Sequence, residues 1–236
     1  PWTIGHSRDV AERAAEAARG SGLPQSDVTE LRRAGLVHDI GRLGGSNAVW
    51  GKRGELTPTD IERVRMHPYF TERMLAFSPA LAPLGAIAVQ HHERLDGSGY
   101  PRGLSGDAIT PAGRILAAAD CYHAITEMRP HRLARSSEEA AAEVRSEVAA
   151  GRLDGDAVDA VLRAAGHRVR RRRLQPLEGG ARAVQRIERP AQPWRCLLGG
   201  GRLRHGGLGS RSLPYRARPP SGPGTGGLAS RLRLRL

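Results

Sequence analysis

An all-α bundle is the fold class the sequence predicts, and three observations predict it. Small and apolar residues recur at three- and four-residue intervals through most of the first 167 positions, successive segments open and close on helix-capping residues, and alternating strand patterns are nearly absent. With 236 residues the chain can bury a proper core without cross-links. The two cysteines, Cys121 and Cys196, show no paired spacing, which points to a reducing compartment and a cytoplasmic location. No apolar run approaches the roughly 20 residues that cross a bilayer, so no membrane partner is expected. The first residue is Pro1, from which a fragment with a missing upstream part is expected.

The helices follow in order. His6 to Gly20 carries Val10, Ala14, Ala17 and Ala18 along one face, with Gly20 where a left-handed C-terminal residue belongs. Ser26 or Asp27 caps a second helix that runs through Leu31 and Val37 to His38 and Asp39, where Gly41 permits the chain to turn. Thr57-Pro58-Thr59-Asp60 opens a third, with a threonine cap, a proline in the first helical position and an acid in the first turn, and it ends near His67-Pro68. Leu84, Ile87 and His91 lie at helical spacing in a fourth. Thr110-Pro111 starts a fifth through Ile115, Ala119 and Tyr122. Ser136 and Glu139 have the spacing of a capping box and lead into a helix that stops at Gly151, and Asp156 to Ala165 forms the last, ended by Gly166.

The formal net charge of +13 belongs to one end. Residues 1–167 hold 20 Lys+Arg against 22 Asp+Glu, while residues 168–236 hold 17 against 2. Lys52 is the sole lysine, so the positive charge is almost pure arginine, a bias that G- and C-rich coding alone produces. From Leu174 onward Gly, Pro and Arg recur without period, a composition that buries too little apolar surface to offset the entropy of ordering. The expected division is therefore a helical domain over 1–167 and a largely disordered basic tail over 168–236. Nucleic acid is not an expected partner of the helical domain. Binding through the tail alone would be steeply salt-dependent.

Chemistry is concentrated in the histidines of the helical part. His6, His38, His67, His91 and His92 fall at or near helix ends, with Asp39 and Asp120 in the same pattern. The steps from His6 to His38, Asp39 to His67, His67 to His91 and His92 to Asp120 are 32, 28, 24 and 28 positions. Each is about one helix, a connection and the return along the next, which brings the ligands back to one level of a bundle. A lone helical histidine is more often a surface or satisfied core residue than a ligand; the joint arrangement is what argues otherwise. Imidazole with carboxylate suits iron, manganese or zinc, and two such ions about 3.5–4 Å apart activate water against a phosphodiester.

Four motifs now stand together: His38-Asp39, His67-Pro68, His91-His92-Glu93 and Gly99-Tyr100-Pro101. With Arg114 to Asp120 and Arg129-Pro130-His131-Arg132, the segment from His6 to about Ala134 resembles the HD-GYP family of cyclic-di-GMP phosphodiesterases in the HD superfamily. The resemblance implies an HD-type helical bundle and two divalent ions, iron or manganese before zinc. Asp39 would bridge them, and His6, His38, His67, His91, His92 and Asp120 would complete their coordination. It further implies catalytic roles for Asp39 and Arg42 and substrate contacts from Arg129 and Arg132, whose guanidinium groups suit phosphate and guanine edges. Gly97, Gly99 and Pro101 would shape a loop beside the site, with Tyr100 on it, and cyclic-di-GMP or a related nucleotide would be the substrate. A homodimer is left open.

Three positions depart from the family pattern. Arg42 stands for a lysine and cannot donate a proton, since its pKa exceeds about 12. His123 replaces an acidic residue one turn after Asp120, and Trp2 stands where some members place a glutamate serving a third metal, so two ions are expected rather than three. These departures keep a second reading open, a catalytically weak cyclic-dinucleotide sensor. The ending Gly166-His167-Arg168-Val169-Arg170-Arg171 resembles that of actinobacterial regulators that continue into a LuxR-type helix-turn-helix. No such motif follows Leu174, so a shifted reading frame or a decayed domain is expected there, testable by translating the other two frames.

Overall fold

The structure, a computed structural model, describes residues 5–169 apart from 46, 53 and 129–132. Trp2, Arg129, Arg132 and the basic tail from residue 170 onward lie outside the described residues. The described residues are helical, with a single isolated bridge between Asp96 and Ser105. In chain order the helices are α1 (His6–Gly20), α2 (Gln25–Val37), α3 (Asn47–Trp50), α4 (Pro58–Arg65), α5 (His67–Leu75), α6 (Ala82–Ala88), α7 (Pro111–Thr126), α8 (Ser137–Ala149) and α9 (Gly155–Ala164). Short 3-10 turns occupy Ile40–Gly44 and Gly106–Ala108.

Capping chemistry sets several of these boundaries. Thr57 and Asp60 form a reciprocal capping box at the start of α4, as do Ser136 and Glu139 at the start of α8. Thr110 caps α7 ahead of Pro111, and Asp154 caps α9 through Ala157 N. Gly151 and Gly166 follow α8 and α9 with φ of 74° and 83°, the left-handed conformation that a side chain resists.

Several expected boundaries move. The positive φ after α1 falls on Gly22, because Gly20 completes the last helical turn. α2 starts at Gln25 after Pro24 with no side-chain cap and ends at Val37, so His38 and Asp39 leave the helix. His67-Pro68 does not end a helix: it begins α5, because proline lacks only an N–H that the first turn leaves unpaired anyway. α6 ends at Ala88, and His91 stands three residues beyond it despite its helical spacing.

The main core lies among α1, α2, α7, α8 and α9, built on Val10, Leu31, Leu116, Ile125, Val161 and Leu162, with alanines filling the contacts between helices. Small residues set the helix spacing. A Cβ on Gly35 would lie 2.8 Å from Ala11 Cα, so α1 and α2 approach as closely as glycine allows. The same close approach recurs at Gly41, where a Cβ would fall 2.0 Å from His67 O and 2.4 Å from Thr71 N. Thr71 locks this crossing: its hydroxyl donates to His38 O (2.8 Å) and accepts from Gly41 N (3.0 Å). The histidine turn after α2 is thereby fixed against the start of α5.

Candidate metal centre

All seven expected ligands meet in one buried cluster. His38 and His91 are fully buried, and the most exposed of the other histidines and Asp120 reaches 4%. They come from five places: the start of α1, the turn after α2, the start of α5, the turn after α6 and the middle of α7, with Asp39 following His38 at the entry to the first 3-10 turn.

The backbone sets three of the imidazoles alike. Nδ1 of His38 donates to Gly35 O (2.7 Å), that of His67 to Val64 O (2.5 Å) and that of His91 to Ala88 O (2.6 Å). Each proton is committed to the carbonyl three residues back, so each Nε2 presents a lone pair inward. His67 Nε2 and His91 Nε2 then face each other at 3.2 Å. Two lone pairs at that distance repel unless they share a cation. The buried Nε2 atoms of His38 and His92 have no hydrogen-bond partner among the described residues, and His38 Nε2 instead faces Asp39 Oδ2 at 3.4 Å and Asp120 Oδ1 at 3.8 Å. Buried acceptors without donors are costly, and a divalent cation is the group that satisfies this donor set.

The carboxylates divide the cluster in two. Asp39 Oδ2 lies 3.7 Å from His6 and 3.4 Å from His38, whereas its Oδ1 lies 3.2 Å from His67 and 3.7 Å from His91. Asp120 turns Oδ1 to His6 (3.1 Å) and Oδ2 to His92 (3.9 Å). The triads His6–His38–Asp120, His38–Asp39–His91 and His67–His91–His92 each have the compactness of a metal site. Burial raises the pKa of Asp39, but Arg42 and the surrounding histidines outweigh it and hold the carboxyl well below its usual range. Asp120 is held low by His6 and His92 against the same burial. Burial and then the neighbouring imidazoles His38 and His67 push His91 down to about 3. Burial likewise lowers His38 and His92. Burial works against charge on His6 too, yet the carboxylates of Asp120 and Glu127 beside its two ring nitrogens carry its pKa up to about 9.

Around the cluster, Glu93 holds the loop that follows it. Its carboxylate accepts from Arg102 N and Leu104 N, both at 2.8 Å, and Tyr100 N donates to His92 O (3.1 Å). Gly97 takes φ of 79°. Gly99 is needed for space, since a Cβ there would lie 2.4 Å from Arg94 N. The loop lays the buried Tyr100 ring over His92 at 4.8 Å between centroids, with Pro101 next to it. Arg42 reaches Asp39 Oδ2 at 2.7 Å and lies on the Trp50 ring at 4.8 Å.

Trp50, which also packs edge-on to His67, escaped the sequence reading, as did Glu127, 3.2 Å from His6 Nδ1. A lone tryptophan in a Gly-rich stretch was the available signal for the first; nothing local marks the second. His123 packs its ring 5.2 Å from that of His6 and faces Asp9 at 3.8 Å.

A bundle of helices with a buried His/Asp cluster at the turn after α2 is the arrangement of metal-dependent HD proteins, and the chain belongs to the HD domain family, whose model matches residues 1–157. Among curated relatives, the 3'3'-cGAMP-specific phosphodiesterase 3 of Vibrio cholerae is 42% identical over 142 residues, covering 60% of this chain and 31% of the relative. A cyclic di-GMP phosphodiesterase of Thermotoga maritima is 38% identical over 143 residues, covering 60% of this chain and 39% of the relative. The chain thus spans roughly a third of the length of the curated relatives it matches. The solved structure of an HDG"Y"P protein from Bdellovibrio bacteriovorus superposes with a TM-score of 0.56 at 17% identity, over 69% of this chain and 52% of that one, a likeness of fold.

Proposed function

We propose that the chain hydrolyses a cyclic dinucleotide, cyclic-di-GMP or cyclic GMP-AMP, at a two-metal centre held by His6, His38, Asp39, His67, His91, His92 and Asp120. The observation that carries this reading is Asp39, whose two oxygens face two separate histidine pairs, as a bridging carboxylate requires. When bound, such ions supply Lewis acidity to phosphoryl oxygens and acidify an attacking water. The protein's own groups do the rest. Burial favours the neutral form of His38, His91 and His92, their histidine and arginine neighbours keep Asp39 and Asp120 ionised, and Arg42 brings a fixed positive charge to the edge where a phosphate would sit. Water adds to phosphorus and loses a proton to solvent, the bond to the leaving sugar oxygen breaks, and that oxygen takes a proton from solvent, because the Arg42 guanidinium holds its own protons too tightly to act as an acid. Arg129 and Arg132 complete the proposal as phosphate and guanine contacts, and Tyr100 as a wall beside His92. Trp2 in place of a carboxylate supports two ions rather than three. Iron or manganese suits the mixed donor set, with zinc next. A former fusion to a LuxR-type DNA-binding region, ending in the basic tail, belongs to the same proposal.

Turnover of cyclic-di-GMP and cyclic GMP-AMP by the manganese- or iron-loaded chain tests the reading, with Asp39→Ala as the control. Hydrolysis that survives Asp39→Ala would overturn it. One observation favours the weak-sensor reading: the Arg42 guanidinium sits 2.7 Å from the Asp39 oxygen that faces His6 and His38. On that reading nucleotide binds without turnover, and Arg42→Lys raises the hydrolysis rate. On the enzyme reading the wild-type chain turns over.

A further inference from the structure

We propose that Glu127 is a positioning residue for the metal centre, its carboxylate standing 3.2 Å from Nδ1 of His6, so that the negative charge keeps the proton on that nitrogen and leaves Nε2 to face Asp39 and Asp120. The inference rests on the reading of His6 as a metal ligand. Its starting point is an asymmetry among the imidazoles. His38, His67 and His91 each commit Nδ1 to a carbonyl three residues back, whereas His6 opens α1 and its Nδ1 meets a side chain, Glu127 Oε2 at 3.2 Å. The opposite nitrogen, Nε2, lies 3.1 Å from Asp120 Oδ1. Asp120 and Glu127 are seven residues, or two turns, apart on α7 and at its C-terminal cap, and His123 lies between them on the same stripe, against the same ring. One helix therefore grips His6 at both nitrogens.

A carboxylate is a stronger acceptor than a carbonyl. It fixes ring orientation and raises the basicity of the ligating nitrogen. The His6–Asp120 side of the centre is thereby matched to the His67–His91 side, whose orientation comes from backbone alone. Removing such a partner weakens metal binding by about 10–100-fold.

The test uses the full chain with Glu127→Ala and Glu127→Gln. Manganese affinity and stoichiometry are measured by calorimetry, and the His6 ring nitrogens are observed by nitrogen-15 NMR of the zinc-loaded protein. The expected result is about 10–100-fold weaker manganese binding for Glu127→Ala, with an altered His6 Nδ1 signal, and recovery to within a few-fold for Glu127→Gln, which keeps a neutral acceptor. Melting in the presence of a chelator separates this from unfolding: both variants melt as wild type does when metal-free. Unchanged manganese affinity and an unchanged His6 signal in Glu127→Ala would overturn the proposal. So would the loss of one ion per chain with the remaining sites unaffected, since His6, His123 and Glu127 are compact enough to ligate a cation directly. A wild-type chain that takes up no divalent metal would instead overturn the metal reading on which the proposal rests.

Discussion

The α1–α7–α9 core and the histidine cluster lie at similar depth but are held by opposite means. In the core, Leu116, Ile125 and Leu162 are at most 1% exposed and packed among alanines, so burial itself stabilises, by roughly 25 cal/mol per Å² of apolar surface. In the cluster, five imidazoles and Asp120 are nearly as buried, and His38 Nε2 and His92 Nε2 have no hydrogen-bond partner among the described residues. Leaving such atoms unpaired costs on the order of 1–3 kcal/mol each. The stable half carries the strained half, and glycine crossings at Gly41 and Gly99 with the Thr71 and Glu93 hydrogen bonds hold the ligands in place. A polar cluster of this kind can therefore be destabilised locally without unfolding the domain, provided the core is separately stable.

The contrast breaks first under metal removal. Chelation is expected to abolish the proposed hydrolysis and to lower the unfolding free energy by about 2.7 kcal/mol per ion relative to a hundredfold excess of ion over its Kd, with the helical circular dichroism retained at 25 °C. Loss of helix on chelation would show that the core does not stand by itself. Leu116→Ala tests the other half: a cost of about 2–5 kcal/mol in denaturant unfolding, with manganese affinity unchanged in the folded fraction.

Gly99→Ala sits between the two. Its Cβ would meet backbone at 2.4 Å, so about 1–3 kcal/mol of overpacking is expected together with weakened substrate binding, read as a rise in KM. The smallest effect lies at the exposed α4 cap, where Thr57→Ala is expected to cost about 1 kcal/mol. There, hydrogen bonds from Lys52 and Thr57 hold Asp60 down to about 2. A depressed carboxyl contributes stability above its ordinary value near 3.8 and loses it as pH falls through 2. Acid melts of wild type and Asp60→Asn should accordingly converge at the lowest pH and separate above pH 4.

Helix starts marked by Thr57, Thr110 and Ser136 were legible in the sequence because caps are local chemistry, satisfied within four residues. That these seven histidines and aspartates would gather in one place was legible, because motif spacing and family resemblance converge on them. Proline at His67-Pro68 misled, since a residue that stops one helix is equally suited to begin the next, and only the packing of α5 on Gly41 decides which. Trp50 beneath Arg42 and Glu127 behind His6 lay beyond reach, because their roles exist only where segments distant in sequence converge. The sequence by itself determined the helices and named the donors; the tertiary structure alone decided which nitrogen of each imidazole faces inward and how the two oxygens of Asp39 divide the cluster. Those choices depend on distances of a few ångströms between separate helices, which no local pattern encodes.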